Sequence, residues 1–248
     1  MLEIAALTNV GLVRKSNEDA IAVGAELICA NVFGPIRFTV TGKNCVLMIA
    51  DGMGGHNQGA LASQTALSFL VGTSDDATEI FQWENALHAA NDAIYECMER
   101  IPSARGMGTT IVGVAIGETG VIHFNVGDSR LYRHSSGILL RLSHDDVPLG
   151  TSGPSISRSS HLITQSLGGR RANIGIRPHV GTASPLTNGD TLLLCSDGLT
   201  DMVADSVVAS TLDSIQDLER CVSTLLDLAF ANGGRDNISI IAVRKQRE

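Results

Sequence analysis

The sequence predicts an α+β fold in which helices pack on antiparallel sheets. Apolar runs of strand length cluster together, amphipathic helical segments come in pairs between them, and no regular strand–helix–strand alternation runs through the chain. The 248 residues are 44% hydrophobic and 18% charged, with a mean hydropathy of +0.16. That is enough apolar material for a sizeable core and excludes a mainly disordered chain. A chain of this length is compatible with one domain, and a single domain over 1–248 is expected.

The first third reads as short strands at 2–7, 20–23 and 37–40, followed by the continuous apolar run 45–50, a buried strand. Residues 59–71, rich in Ala, Leu and Phe, predict a helix, and a longer one is predicted over 79–100. In the latter, Ile80, Trp83, Leu87, Ala90, Ile94 and Cys97 recur at three- and four-residue steps and share a face. Asp76 and Glu79 have the spacing of a capping box. Strands return at 109–116 and 121–126; in the second, Ile122, Phe124 and Val126 alternate with His123 and Asn125. Residues 131–134 and 138–142 read as a meander, and 191–196 as another buried strand. A helix over 217–232 carries Leu218, Cys221, Leu225 and Leu228 on one stripe and stops at Gly233. Residues 237–243 form a last alternating strand. The stretch from 143 to about 161, with Pro148, Pro154 and several serines, follows no period. Loops this long are uncommon in compact domains and often serve as lids.

Eighteen basic and 26 acidic residues give a net charge of −8. Such a surface repels phosphate backbones, so nucleic acid is not an expected partner. No 18-residue apolar run exists, so no membrane span is expected. The N-terminal apolar stretch precedes its basic pair, Arg14 and Lys15, the reverse of a signal peptide. The five cysteines are scattered without metal-ligand spacing, and four lie in apolar runs. A soluble, cytoplasmic protein with reduced thiols is expected.

The chemistry lies in where the aspartates fall. Asp51 follows the run 45–50, Asp197 follows 191–196, Asp128 follows 121–127, and Asp236 precedes 237–243. Four carboxylates therefore stand at strand ends, where a rigid scaffold meets solvent. Gly52 and Gly198 follow two of them and permit close backbone approach to a ligand. Asp-Gly is also a hairpin signal, and Asp128 fits a simple turn as well as it fits a ligand. If these carboxylates converge, they repel one another unless a cation intervenes, and an all-oxygen donor set selects Mg²⁺, Mn²⁺ or Ca²⁺ over zinc. Two such ions sharing a water suit phosphate-ester hydrolysis. In the hexad 14–19, Arg14 offers a planar fork for phosphate oxygens, and Glu18 and Asp19 are candidates to hold metal-bound waters. Read alone, the hexad is also a charged, solvated turn. Other phosphate chemistries lack their motifs: there is no P-loop, no kinase set, and no cysteine with an arginine six residues on.

RKSNED (14–19), ADGMGGH (50–56), GMGTT (106–110), VGDSR (126–130), SLGG (166–169), CSDGLTD (195–201) and GGRDN (233–237) occur in that order. The ordered set resembles the metal-dependent PPM/PP2C-type serine/threonine phosphatases, and DGMGGH is similar to the bacterial form. The resemblance covers nearly the whole chain. It implies a four-layer αββα sandwich with two Mn²⁺ or Mg²⁺ ions between the sheets. By motif position, Asp51 bridges both ions, the Gly52 carbonyl binds the second, and Asp197 and Asp236 complete the set. Arg14 holds the substrate phosphate, while Glu18 and Asp19 bind metal waters. Asp128, with Asp197 and Asp201, forms the third-ion site of some members. The implied reaction is direct attack of metal-activated water on phosphorus, without a phosphoenzyme. The implied partners are phosphorylated Ser/Thr proteins and a cognate kinase, and the chain is expected to be a monomer.

Two departures from the family pattern stand out. Animal-type members carry a His two positions after the bridging Asp, where this chain has Met53; His56 is nearby but equally reads as a loop residue. The flap around 144–165 is shortened and rich in serine. Segment 25–43 resembles an insert, and an extra hairpin is the simplest expectation. Two rival functions are a catalytically silent PP2C-like regulator that binds phosphoproteins, and a two-metal phosphodiesterase or nuclease.

Overall fold

A computed structural model describes residues 1–41, 44–54, 58–73, 79–148 and 162–246. Among the described residues, fifteen strands and five α-helices follow one another. Strands β1 (Leu2–Asn9), β2 (Ala20–Val23), β3 (Glu26–Ile28), β4 (Val32–Val40), β5 (Cys45–Ala50) and β6 (Gly52–Met53) lead into helices α1 (Gln58–Thr73) and α2 (Ile80–Arg100). Next come β7 (Gly108–Thr109), β8 (Ile111–Ile116), β9 (Val121–Val126), β10 (Arg130–Ser135), β11 (Ile138–Arg141), β12 (Leu167–Gly168), β13 (His179–Ala183) and β14 (Thr191–Cys195). The chain closes with α3 (Asp197–Thr200), α4 (Asp205–Ser214), α5 (Leu218–Ala231) and β15 (Ile238–Lys245).

The strands make two antiparallel six-stranded sheets, ordered β11-β10-β14-β15-β1-β4 and β13-β9-β8-β5-β2-β3, and a short sheet β12-β7-β6. Three apolar layers stack them. Between the sheets lie Ile4, Ile21, Leu47, Ile49, Val112, Leu192, Leu194 and Ile241. The outer face of the β5 sheet buries Met48, Leu67, Leu70, Trp83, Leu87 and Phe124 against α1 and α2. The outer face of the β15 sheet buries Leu7, Leu193, Val208, Leu212, Leu225 and Ile240 against α4 and α5. This is the helix–sheet–sheet–helix order the resemblance implies. β5 and β14 are covered on both faces, which is why they read as unbroken apolar runs.

The long helix keeps its face: Trp83, Leu87, Ala90, Ile94 and Cys97 are buried, and only Ile80, in the first turn, is exposed. Trp83 stacks on Phe124 with ring centroids 4.4 Å apart. The capping box is displaced by one turn: Glu79 is the N-cap and its backbone amide donates to Gln82 Oε1 at 2.8 Å. Asp76 lies outside the described residues, as do His56 and most of the expected flap, 149–161.

Segment 25–43 corrects the hairpin expectation. Its two strands do not pair with each other. β3 extends one sheet beside β2, and β4 extends the other beside β1, so the segment crosses between sheets and supplies an edge to each. The predicted strand 109–116 is divided at Thr110, whose amide turns to the Asp51 carbonyl at 2.9 Å.

Candidate metal centre

Strand register gathers the aspartates. Ala20 stands opposite Ala50 in the β2–β5 pair, so Asp19 and Asp51 flank the same sheet edge. Cys195 stands opposite Ile240 in the β14–β15 pair, which sets Asp197 after one strand beside Asp236 before the other. Ile111 stands opposite Val126, which brings Asp128 to the same end of β9.

The loops are then pinned. The Thr110 hydroxyl accepts from the Asp51 amide at 3.1 Å and meets the Ser129 hydroxyl at 2.8 Å, tying the Asp51 and Asp128 loops together. Thr109 Oγ1 donates to the Asp51 carbonyl at 2.9 Å. Asn237 fastens the hexad: its Oδ1 accepts from the Glu18 amide at 2.8 Å, and its Nδ2 donates to the carbonyls of Val10 (2.9 Å) and Ser16 (3.0 Å). Ser63, on α1, donates to the Glu18 carbonyl at 2.6 Å. Gly52 and Gly198 are required by packing. A Cβ at Gly52 would stand 2.2 Å from the Gly59 carbonyl oxygen and 2.5 Å from that of Glu18; at Gly198 it would stand 2.0 Å from the Asn237 carbonyl oxygen.

The electrostatics show a cage of like charge. Burial pushes the Asp51 carboxyl well above its ordinary range, and the charges of Asp19, Asp197, Asp236 and Asp128 push it further. Burial likewise lifts Asp128 to about 7, reinforced by Asp197, Asp145 and Asp201. Asp19 rises to about 7 through burial, against the opposing hydrogen bonds of Ser239 and Ser196 and with the charges of Asp197 and Asp236 adding to it. Those two hydroxyls donate to Asp19 Oδ2 at 2.6 and 2.9 Å, whereas the buried Oδ1 accepts no hydrogen bond among the described residues. Close, desolvated carboxylates of this kind are stable as anions only around positive charge. The donor set is entirely oxygen, and it fits a hard divalent cation.

The charges of Asp19, Asp197, Asp236 and Asp128 all act on the buried Asp51 carboxyl, and Asp201, the C-cap of α3, acts on Asp128. Glu18 enters through its backbone and through its charge on Arg14. Arg14 borders the cage with its side chain 52% exposed, and its Nη2 donates to Asp236 Oδ2 at 2.6 Å. That bond, more than any other influence, raises the guanidinium pKa. Asn237, Ser196, Ser239 and Thr110 complete the site without having been assigned from sequence; each lay inside or beside a quoted motif. Behind the cage, buried Arg130 forks onto Asp145, with Nε and Nη2 at 2.7–3.1 Å from its oxygens.

Fold and site together define a class: a paired-sheet protein with aspartates gathered at one sheet edge and an arginine beside them. Residues 29–227 match the Protein phosphatase 2C family, and the chain belongs to that family. It is 32% identical over 255 residues to the serine/threonine protein phosphatase PstP of Mycobacterium tuberculosis, which covers 97% of this chain. The chain spans only 44% of that relative's length. The protein phosphatase PhpP of Streptococcus pneumoniae is 32% identical over 262 residues, with 100% of this chain and 99% of the relative covered. Among solved structures, the catalytic domain of PstP in complex with two manganese ions superposes with a TM-score of 0.80 at 29% identity, each chain fully covered. Stp1 from Staphylococcus aureus gives 0.82 at 27% identity, covering 100% of this chain and 96% of the other.

Proposed function

We propose that this chain is a metal-dependent protein serine/threonine phosphatase of bacterial type, with 1–248 acting as one catalytic domain. The observation that carries the reading is that Asp197 and Asp236, from separate strand ends, stand close enough for their charges to act on the buried Asp51 carboxyl. In this reading Asp51, the Gly52 carbonyl, Asp197 and Asp236 hold two Mn²⁺ or Mg²⁺ ions. Glu18 and Asp19 would hold waters at the ions, and Asp128, with Asp197 and Asp201, would take a third ion. When bound, such a pair acidifies a water and offsets charge on the phosphate.

The remaining steps belong to the chain. Arg14 offers two parallel donors to phosphate oxygens, and its half-exposed position lets it exchange Asp236 for substrate. Asn237 holds the backbone of the 14–19 turn, so Arg14, Glu18 and Asp19 face the cage together. Thr110 and Ser129 keep Asp51 and Asp128 in fixed relation. Met53 offers no transferable proton to the departing serine or threonine oxygen, and water can supply it.

The silent-regulator alternative has no physical need for Arg14 beside an intact carboxylate cage. The nuclease alternative conflicts with a net charge of −8. No helix among the described residues is long and apolar enough to cross a membrane. The reading takes the protein as a cytoplasmic monomer that acts on phosphorylated proteins and opposes a cognate kinase. The test is hydrolysis of an aryl phosphate and a phosphothreonine peptide with Mn²⁺ or with chelator. Turnover is expected with Mn²⁺ and should vanish with chelator and in Asp236→Asn; turnover that survives either change refutes the mechanism.

A further inference from the structure

Apart from the cage, the described residues bring together a second set of side chains with metal-ligand chemistry. His144 and Asp146 follow β11, and His179 begins β13; one donor atom from each lies within 4.8 Å of the others. His179 Nε2 is 2.9 Å from Asp146 Oδ1. The two imidazole rings approach to 4.6 Å between centroids, tilted by 31°.

The surroundings hold this trio in place. Asp146 Oδ2 accepts from the Gly127 amide and from Gln165 Nε2, both at 2.8 Å, which turns Oδ1 toward the histidines. Asn125 grips the backbone of His144 from both sides: its Oδ1 accepts from the His144 amide at 3.0 Å, and its Nδ2 donates to the His144 carbonyl at 2.7 Å. Asn125 is also the residue opposite His179 in the β9–β13 register. Asn125 thus fixes the His144 backbone through its side chain and stands opposite His179 in the sheet, and the carboxylate is oriented by two outer donors, as ligands of metal sites are.

We propose that His144, Asp146 and His179 form a separate binding site for a divalent cation of the zinc class, with water completing the coordination. Two imidazole nitrogens and one carboxylate oxygen suit a borderline ion, in contrast to the all-oxygen cage. Ligands about 2.0–2.2 Å from zinc stand roughly 3–4 Å apart. The His179–Asp146 pair is already at that separation, and exposed His144 closes the remainder by turning its ring. The ion takes the place of the hydrogen-bonded proton on His179 Nε2, and the imidazole coordinates as its Nδ1–H tautomer. A simple His–Asp hydrogen bond accounts for His179 but leaves the approach of His144 unexplained. The site is distinct from the cage but near it, because Gly127, which anchors Asp146, directly precedes Asp128.

The test is calorimetric titration of the full chain with Zn²⁺ in excess Mg²⁺, so that the hard-ion cage is protected, with the imidazole proton resonances followed in parallel. About one equivalent of Zn²⁺ should bind and shift two imidazoles. His144→Ala and His179→Ala should each weaken binding about tenfold or more while melting cooperatively and retaining Mn²⁺-supported hydrolysis. The Asp51→Asn variant should bind Zn²⁺ as the parent does. No heat in excess Mg²⁺, or affinity unchanged in both histidine variants, overturns the proposal. If either histidine variant fails to fold, the resonances of the unmodified chain decide: imidazoles that do not shift on Zn²⁺ addition refute the site. Because binding is the readout, the outcome does not depend on whether the chain is a phosphatase.

Discussion

Replacing Asn237 by alanine should unfasten the 14–19 turn without touching a cage carboxylate. Asn237 is 5% exposed, and its side chain makes three hydrogen bonds to backbone groups of Val10, Ser16 and Glu18. At about 1 kcal/mol each, these come to about 3 kcal/mol. The loss should exceed that of an exposed residue, because the Glu18 amide and two carbonyls are left without their partner. Trp83, the only tryptophan, is fully buried and stacked on Phe124, so its emission reports global unfolding. Guanidinium unfolding followed at Trp83 should show a midpoint lowered by the equivalent of about 3 kcal/mol with an unchanged slope. Phosphatase turnover should fall with it, since Arg14 and Asp19 lose their common anchor. A variant with the parent's midpoint and turnover would refute the anchoring role.

Further predictions concern packing and pH. Gly52→Ala should lower the melting temperature and abolish turnover, because its Cβ would stand 2.2 Å from a backbone oxygen; a soluble, fully active variant would contradict the close packing. Asp145→Ala leaves Arg130 buried without its carboxylate and should cost about 3–5 kcal/mol in denaturant unfolding. Asp190 carries a pH signature. Burial raises its carboxyl, but hydrogen bonds from Ser135, Thr187 and Arg133 outweigh this and hold it at about 2, below the ordinary 3.8. A depressed carboxyl stabilises the fold above the unfolded pKa and loses that contribution as pH falls through about 2. The Asp190→Asn variant should therefore be less stable than the parent by about 2 kcal/mol at neutral pH, and the gap should close towards pH 2. A gap independent of pH would contradict the assignment.

What the sequence made legible follows from how local each signal is. β5 and β14 are runs covered on both faces; Asp51 directly follows the first and Asp197 stands two positions beyond the second, so hydropathy alone located both carboxylates. Asp19 was harder. It sits in a hexad of charge that reads as solvated, yet it is 3% exposed because Ser196 and Ser239, about 180 and 220 positions away, supply its hydroxyl partners. Asn237 stood in a quoted motif, but its anchoring role depends on partners at the other end of the chain. The half-buried edge strands β3 and β13 and the first half of β4 escaped the pattern: β4 is interrupted by Gly34-Pro35, and an edge strand carries no continuous apolar run. The His144–Asp146–His179 trio had no sequence signature, since 33 residues separate its acid from its second imidazole.

The measurement closest to the central claim is an anomalous difference map at the manganese edge from crystals grown with Mn²⁺. Two peaks within the space bounded by Asp51, Asp197 and Asp236 are expected. A map with no signal there, or with the five carboxylates turned away from one another, would contradict the account.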